Sequence, residues 1–267
     1  MYHGVRIKKK LGQHFLTNEG TKHRIVNYAD IINKNIILEI GAGTGDLTSI
    51  IKEKAMKVIA VEKDKELVKI LKRRFSNESK VEVIEGDILK IDLPQYDKIV
   101  STPPYNISSK LIFLLLVREC ERIVITLQKE FAERLVARPG SRNYGRITVM
   151  TGCKAKVDLL EYIPKSDFYP QPKVDSAIVS IFPRKITDDL INNDCFIEFL
   201  RILFTQRRKR VRKVVSHYLQ NKFVDNAKLI SSSIKLPEKR VYELSMSEFK
   251  NIFQEIINHV SINELKS

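Results

Sequence analysis

The sequence predicts an α/β fold: a mostly parallel sheet with an antiparallel terminal strand, followed by a small all-helical C-terminal domain. Three observations predict it. Short apolar runs alternate with amphipathic stretches through the first part of the chain, the pattern of βαβ units around a parallel sheet. KAKVDLLEYI and SAIVSIF, separated by the turn-rich KSDFYPQPKVD, read as an antiparallel pair. After Pro183 the character shifts to helix.

The elements follow in order. NIILEI is the first strand and DLTSIIKEKA its helix; KVIAVE is the second strand and KELVKILKRRF its helix. VEVIEGD and YDKIVS are the third and fourth strands, and SSKLIFLLLVREC is the helix after the fourth. RIVITL is the fifth strand, followed by the helical KEFAERLVA. The antiparallel pair closes the sheet. CFIEFLRILFTQRRKRVRKVVSHYL, NAKLISSSI and SMSEFKNIFQEIINHV then read as helices, with Phe196, Phe199, Leu200, Leu203 and Phe204 at core-facing spacing. The expected division is residues 1–183, with a basic N-terminal arm, and residues 184–267.

The 267 residues are 43% apolar, enough for one ample core and a smaller appended unit. Net charge is +15, from 47 Lys and Arg against 32 Asp and Glu. Such an excess draws polyanions by counterion release and makes nucleic acid the leading partner. No apolar run approaches the roughly eighteen residues that cross a bilayer, and MYHGVRIKKKLGQHF has no apolar signal core. A cytoplasmic protein with no membrane partner is expected. Cys120, Cys153 and Cys195 lie far apart and the 5 histidines are scattered, which supports neither a disulfide framework nor a metal site. Three buried thiols are expected instead.

ILEIGAGTGDLT puts Gly41, Gly43 and Gly45 at a strand-to-helix turn, where glycine permits positive φ and close approach of a ligand to bare backbone. A dinucleotide fingerprint, G-x-G-x-x-G, fails because its sixth position is Asp46. That acid opposes a phosphate and suits an ammonium or sulfonium group. Glu62 ends KVIAVE, where a carboxylate can accept both hydroxyls of a ribose, and Asp87 ends the third strand as a candidate adenine partner. Together the three strand ends favour S-adenosylmethionine.

The fourth strand ends in VSTPPYNISS. Its adjacent prolines donate no hydrogen bond and continue neither strand nor helix. Thr102, Pro103, Pro104 and Tyr105 resemble the Asn/Asp/Ser-Pro-Pro-Tyr elbow of methyltransferases that modify exocyclic amines of bases. An adenine amine is a poor nucleophile because its lone pair is delocalised into the ring. Acceptors on its two hydrogens favour a pyramidal nitrogen. By that resemblance the acceptors are the Thr102 side chain and the Pro103 carbonyl, with Tyr105 stacked on the base for about 1–3 kcal/mol.

The whole chain is similar to the small-subunit ribosomal RNA adenine dimethyltransferases. LGQHFL, LEIGAGTGDLT, VEKD, EGDIL, PPYNISS, QKEFAERLVARPGSRNYGRITV and FYPQPKVDSAIV fall in family order. The resemblance implies a Rossmann-like, S-adenosylmethionine-dependent methyltransferase sheet. It sets His14 and Leu16 at the methionine end of the cofactor, beside Gly41, Gly43, Glu62, Asp87 and Thr102, and extends the cofactor-binding set to Gln13, Lys63 and Ile88. It implies that Phe168 sandwiches the target base against Tyr105. It also implies dimethylation at N6 of two adjacent adenosines in the loop of the hairpin near the 3′ end of small-subunit rRNA, within a pre-ribosomal particle. One departure stands out: the family's usual Asn-Leu-Pro-Tyr is here Thr-Pro-Pro-Tyr, which predicts retained but slower transfer.

QRRKRVRKVV carries Arg207, Arg208, Lys209, Arg210, Arg212 and Lys213, too many for one stripe of a helix. Arg207, Arg208, Arg210 and Arg212 are the expected RNA-binding residues, helped by Arg6, Lys8, Lys9 and Lys10. A monomer suffices for such an enzyme. Two other readings stay open: a large-subunit rRNA adenine methyltransferase of the resistance type, and a non-catalytic ribosome-assembly factor, the latter invited by Thr102.

Overall fold

The computed structural model describes residues 4–5, 7–184, 193–223 and 227–260. From the N-terminus, β1 (Phe15–Leu16) leads to α1 (Glu19–Tyr28), begun by Asn18, whose side chain accepts the Thr21 amide. Next come β2 (Ile36–Ile40), α2 (Asp46–Ile51), β3 (Lys57–Glu62), α3 (Lys65–Arg74), β4 (Val81–Glu85), β5 (Lys98–Ser101) and α4 (Ser108–Leu115). They are followed by β6 (Arg122–Gln128), α5 (Lys129–Leu135), α6 (Arg146–Lys154), β7 (Ala155–Ile163), β8 (Phe168–Tyr169) and β9 (Ser176–Pro183). The C-terminal helices are α7 (Asp194–Thr205), α8 (Val211–Lys222), α9 (Ala227–Ser233) and α10 (Met246–Asn258).

Seven strands form one sheet in the spatial order β4-β3-β2-β5-β6-β9-β7. β4, β3, β2, β5 and β6 are mutually parallel, and β9 runs antiparallel to both β6 and β7. This is the expected Rossmann-like α/β sheet, with KAKVDLLEYI and SAIVSIF as its antiparallel pair. The central strands are apolar on both faces because helices cover both. Ile37, Val58, Val100 and Val124 are fully buried, together with Ile25 and Val26 from α1 and Leu47 and Ile51 from α2. Each such side chain contributes about 1.5–3 kcal/mol relative to exposure. A charge at Val100 would break this layer.

β1 and β8 form a separate antiparallel ribbon, Phe15 opposite Tyr169 and Leu16 opposite Phe168. It joins LGQHFL to FYPQP, about 150 residues apart in the chain.

The chain divides into two compact units, one of Met1–Ala132 and Ala155–Arg184, the other of Glu133–Lys154 and Lys185–Ser267. The second unit thus takes α6 as well as the C-terminal helices, whereas a single cut after residue 183 leaves α6 with the sheet. Residues 185–192, next to that cut, lie outside the described residues. Within the second unit, Asn193 caps α7 through the Cys195 amide, and Ser245 and Glu248 form a capping box at α10. Phe196, Phe199, Leu200 and Leu203 are buried as the spacing predicts, and Phe204 is half-buried against Phe249 at 5.3 Å. Phe253 lies 5.2 Å from Phe196 and 5.3 Å from Phe199, an aromatic cluster that welds α7 to α10.

Two sequence expectations are corrected. The run 195–219 is not one helix: α7 ends at Thr205, and residues 206–210 turn before α8. Arg207 draws the chain aside there, donating to the carbonyls of Tyr144 and Arg142 at 2.8 and 2.7 Å. Among the cysteines, only Cys153 is buried; Cys120 and Cys195 are half-buried, and no disulfide joins the three. Among the described residues no helix is long and apolar enough to cross a membrane, and no group of three His, Cys, Asp or Glu is disposed to hold a metal ion.

Candidate active site

In an open sheet, ligands bind where neighbouring strands send their connections in opposite directions. Here that point lies between β2, followed by β3 on one side, and β5, followed by β6 on the other. The glycine turn leaves β2 and the proline elbow leaves β5, so both open on the same crevice. They touch. A Cβ on Gly41, whose φ is +72°, would stand 3.5 Å from Pro104 Cδ and 3.7 Å from Pro103 Cα. Gly45 is more constrained: its φ is +86°, and a Cβ there would lie 2.6 Å from the Phe75 ring.

The crevice is a cleft enclosing about 1160 Å³, open mouth included. Gln13, His14, Leu16, Gly41, Gly43, Glu62, Lys63, Asp87, Ile88 and Thr102 all line it. Glu62 is held at its base: Oε2 accepts from the Gly43 amide at 2.9 Å, and Oε1 from the Lys63 and Asp64 amides at 2.8 Å each. Burial still raises its pKa, despite these three donors to the charged form. Asp87 is more open. Lys63 donates to its Oδ2 at 2.9 Å and holds its carboxyl below the usual range, while Oδ1 accepts the Leu89 amide.

Asp46 also lines the cleft, but its charge is answered within the chain. Arg74 lies 2.7 Å from Oδ1 and Lys22 3.4 Å from Oδ2. The expectation that Asp46 would await a cationic ligand is therefore weakened by two resident cations.

Beyond the elbow lies a narrow crevice too tight for a water molecule as it stands, about 190 Å³ counting all interatomic space and its open mouth, lined by Gly12, His14, Thr102, Pro103, Tyr105, Thr126 and Phe168. Thr102 and His14 line both spaces, so the two adjoin at these residues. Tyr105 is anchored by its hydroxyl to Ser176 Oγ at 2.5 Å. Burial pushes its phenol up to about 12, so it stays protonated at neutral pH. His14 stacks on Tyr105 with centroids 6.0 Å apart and planes 19° from parallel, and it is fastened through Nδ1 to the Pro170 carbonyl at 2.6 Å.

Phe168 departs from the expected sandwich. Its ring stands edge-on to Tyr105, 6.4 Å away at 71°, and belongs to the core with Leu16 and Ile178. The two rings do not make a parallel slot in this arrangement.

Several residues in and beside the cleft were not among those singled out in the sequence. Glu39, in β2, is fully buried and lines the cleft, with the Thr48 hydroxyl donating to it at 2.5 Å. Burial raises its pKa to about 8. A carboxylate inside the otherwise apolar ILEIG was the available signal. Asp64 is another: it caps α3 and binds Lys8 and Gln13 at 2.6 and 2.9 Å. Thr126 carried no signal at all, standing in an apolar strand.

The family model of ribosomal RNA adenine dimethylase matches residues 4–258. A probable ribosomal RNA small subunit methyltransferase A of Thermococcus onnurineus is 42% identical over 255 residues, 94% of this chain and 92% of its own. The protein of the same description from Pyrococcus abyssi is 39% identical over 260 residues, 96% and 94% of the two chains. The chain belongs to the ribosomal RNA adenine dimethylase family. It is an rRNA adenine methyltransferase. The crystal structure of a dimethyladenosine transferase from Plasmodium falciparum superposes with a TM-score of 0.82 at 32% identity, covering 92% of this chain and 98% of that one. The 23S rRNA methyltransferase ErmE shares the fold, with a TM-score of 0.69 at 24% identity over 91% and 99% of the two chains.

In this family member the residues of the basic run differ in exposure and in partners. Arg207 is half-buried and committed to the Tyr144 and Arg142 carbonyls. Arg210 pairs with Glu238 at 2.7 Å, and Arg212 lies 3.9 Å from the same carboxylate. Arg208, Lys209 and Lys213 are exposed alongside them. In the N-terminal arm Lys8 is paired with Asp64 and Glu66, while Lys10 lines the cleft and is exposed. Arg6 and the Lys9 side chain lie outside the described residues.

Proposed function

We propose that this enzyme transfers methyl groups from S-adenosylmethionine to N6 of two adjacent adenosines in the loop of the hairpin near the 3′ end of small-subunit rRNA, within a cytoplasmic pre-ribosomal particle. One observation carries the reading: Thr102 and His14 line both the cleft and the aromatic pocket, so a donor in one would meet a base in the other beside these two residues.

The residues present fit the donor. Glu62, fixed by three backbone amides, would accept ribose hydroxyls at its remaining lone pairs, and Asp87, which lines the same cleft, would meet the adenine. Gly43 keeps the turn bare: a Cβ there would press on the Phe15 ring at 3.3 Å. The donor supplies an electrophilic methyl on sulfur. Where the two spaces adjoin, the Thr102 hydroxyl and the Pro103 carbonyl accept the two N6 hydrogens and localise the amine lone pair. Tyr105, held by Ser176, supplies the stacking face. With that donor bound, N6 held by Thr102 and Pro103 would receive the methyl as the carbon–sulfur bond breaks, and one N6 proton would leave to water. Tyr105 cannot serve as base, because burial keeps its phenol protonated. Positioning and acceptors matched to the developing positive charge on the amine therefore carry the rate.

The Phe168 ring completes the sandwich only after it turns from its edge-on position, so base entry and ring rotation go together. The small-subunit substrate rests on the likeness to the Thermococcus and Pyrococcus relatives. The test is transfer of labelled methyl groups to unmethylated small subunits and, in parallel, to large subunits, with the modified nucleoside identified. N6,N6-dimethyladenosine from small subunits alone is expected. Label in large subunits would move the target, and no label in either would leave an assembly factor.

A further inference from the structure

Thr126 is the one wall of the small pocket for which neither the sequence motifs nor the proposed mechanism has a use. It lies in β6, only 1% exposed, and its hydroxyl has no hydrogen-bond partner among the described residues. A buried hydroxyl left without a partner is destabilising, and protein interiors ordinarily avoid it. Its position is informative. β5 and β6 are paired in parallel with Ser101 opposite Ile125, so the register carried one residue further sets Thr102 opposite Thr126. Neighbouring strands lie about 4.8 Å apart, and both threonines line the same pocket. The pocket thus holds one hydroxyl in line with the amine and a second, unpartnered one beside it.

An adenine that presents its N6 to Thr102 brings with it a ring nitrogen on each flank, N1 and N7, and both are bare acceptors. We propose that Thr126 is a second base-contacting residue: its hydroxyl donates to the ring nitrogen beside the target amine, fixing the base in its plane and favouring adenine over a base with a donor at that position. This rests on the reading of the small pocket as the target-base site. It also offers a reason why a short Thr102 sustains transfer in this chain, if more slowly than the family's amide. The amide that the family usually provides can make two contacts from one side chain; here two hydroxyls on adjacent strands divide them.

The test uses the full chain with Thr126→Val, which keeps the shape and removes the hydroxyl, and Thr126→Ser, which keeps the hydroxyl. Small-subunit particles are assembled on RNA carrying adenosine, 1-deazaadenosine or 7-deazaadenosine at the target positions. Wild-type transfer to the adenosine particles tests the pocket reading; the variants and analogues test Thr126. The expected result is a fall of about five- to twentyfold in kcat/KM for Thr126→Val, recovered in Thr126→Ser, with donor affinity and Tm not lowered. One deaza analogue should cost the wild type a similar factor and cost Thr126→Val nothing more, which identifies the nitrogen. Wild-type kcat/KM in Thr126→Val would overturn the proposal. So would a lowered Tm, which would reveal an internal partner, or losses that multiply for both analogues.

Discussion

The Lys8 ammonium lies 2.6 Å from the Asp64 carboxylate, two residues beyond the Glu62 that ends β3. Gln13 reaches the other oxygen of Asp64 at 2.9 Å, and its own side-chain oxygen accepts the Lys8 amide at 2.7 Å. The N-terminal arm is thereby latched to the loop that holds the cofactor ribose in the proposed reading. Burial alone would raise the Asp64 pKa, but the Lys8 and Gln13 hydrogen bonds outweigh it and hold the carboxyl below its ordinary value.

Asp64→Asn keeps a good helix cap for α3 while removing the charge that holds Lys8. Donor affinity should weaken by about two- to fivefold, the range of a partly exposed ion pair, and become less sensitive to salt. Calorimetric titration with S-adenosylmethionine at two ionic strengths checks this. Unchanged affinity would mean that the arm does not help to enclose the donor.

Glu39 makes stability depend on pH in a defined direction. Its pKa is about 8 in the folded chain against an ordinary 4.5, because burial disfavours the charge. Between those values the folded state holds a proton that the unfolded state has lost, so its contribution to stability declines as pH rises from about 4.5 to 8. Glu39→Gln keeps an acceptor for Thr48 and has no proton to lose. Denaturant titrations should show the two proteins similar near pH 5 and the variant more stable by about 2–4 kcal/mol at pH 8. A constant gap across that range would show that Glu39 is ionised throughout.

Thr102→Asn restores the side chain that the family usually carries at the elbow. A longer acceptor for the amine should raise turnover by about tenfold, the equivalent of roughly 1–2 kcal/mol in the transition state. The more crowded second methylation should gain most, so the ratio of dimethyl to monomethyl product is the measurement. A slower Thr102→Asn enzyme would indicate that this pocket is fitted to the hydroxyl.

The basic residues separate into two groups with different readouts. Replacing Arg208, Lys209 and Lys213 with Ala should flatten the dependence of RNA affinity on salt, by about 0.7–0.9 in the log–log slope for each phosphate no longer neutralised. Arg207→Ala should act on the fold instead, since it strips the charged donor from the Tyr144 and Arg142 carbonyls. A loss of about 1–2 kcal/mol in unfolding free energy is expected, read from the thermal midpoint. Steep salt dependence surviving the triple change would move the RNA-binding surface elsewhere.

Local pattern dictated the parallel sheet, because strands buried on both faces must be continuously apolar and their helices must show one apolar stripe. It also determined the cleft residues at the strand ends, since a glycine turn, a carboxylate at the end of KVIAVE and a double proline each have few structural uses. α1 escaped because it covers the sheet with Thr21 and Lys22 as much as with Ile25 and Val26, so its periodicity is faint. Long-range packing alone settled which charges were already spoken for: Asp46 met Lys22 and Arg74, Lys8 met Asp64, and Arg207 met two carbonyls. Partners of this kind are 24 to 65 residues away in the chain, and no local pattern encodes them. The same holds for the edge-on Phe168 and the unpartnered Thr126. Ring angle and an unmet hydrogen bond are properties of packing between strands, fixed by register rather than by residue type.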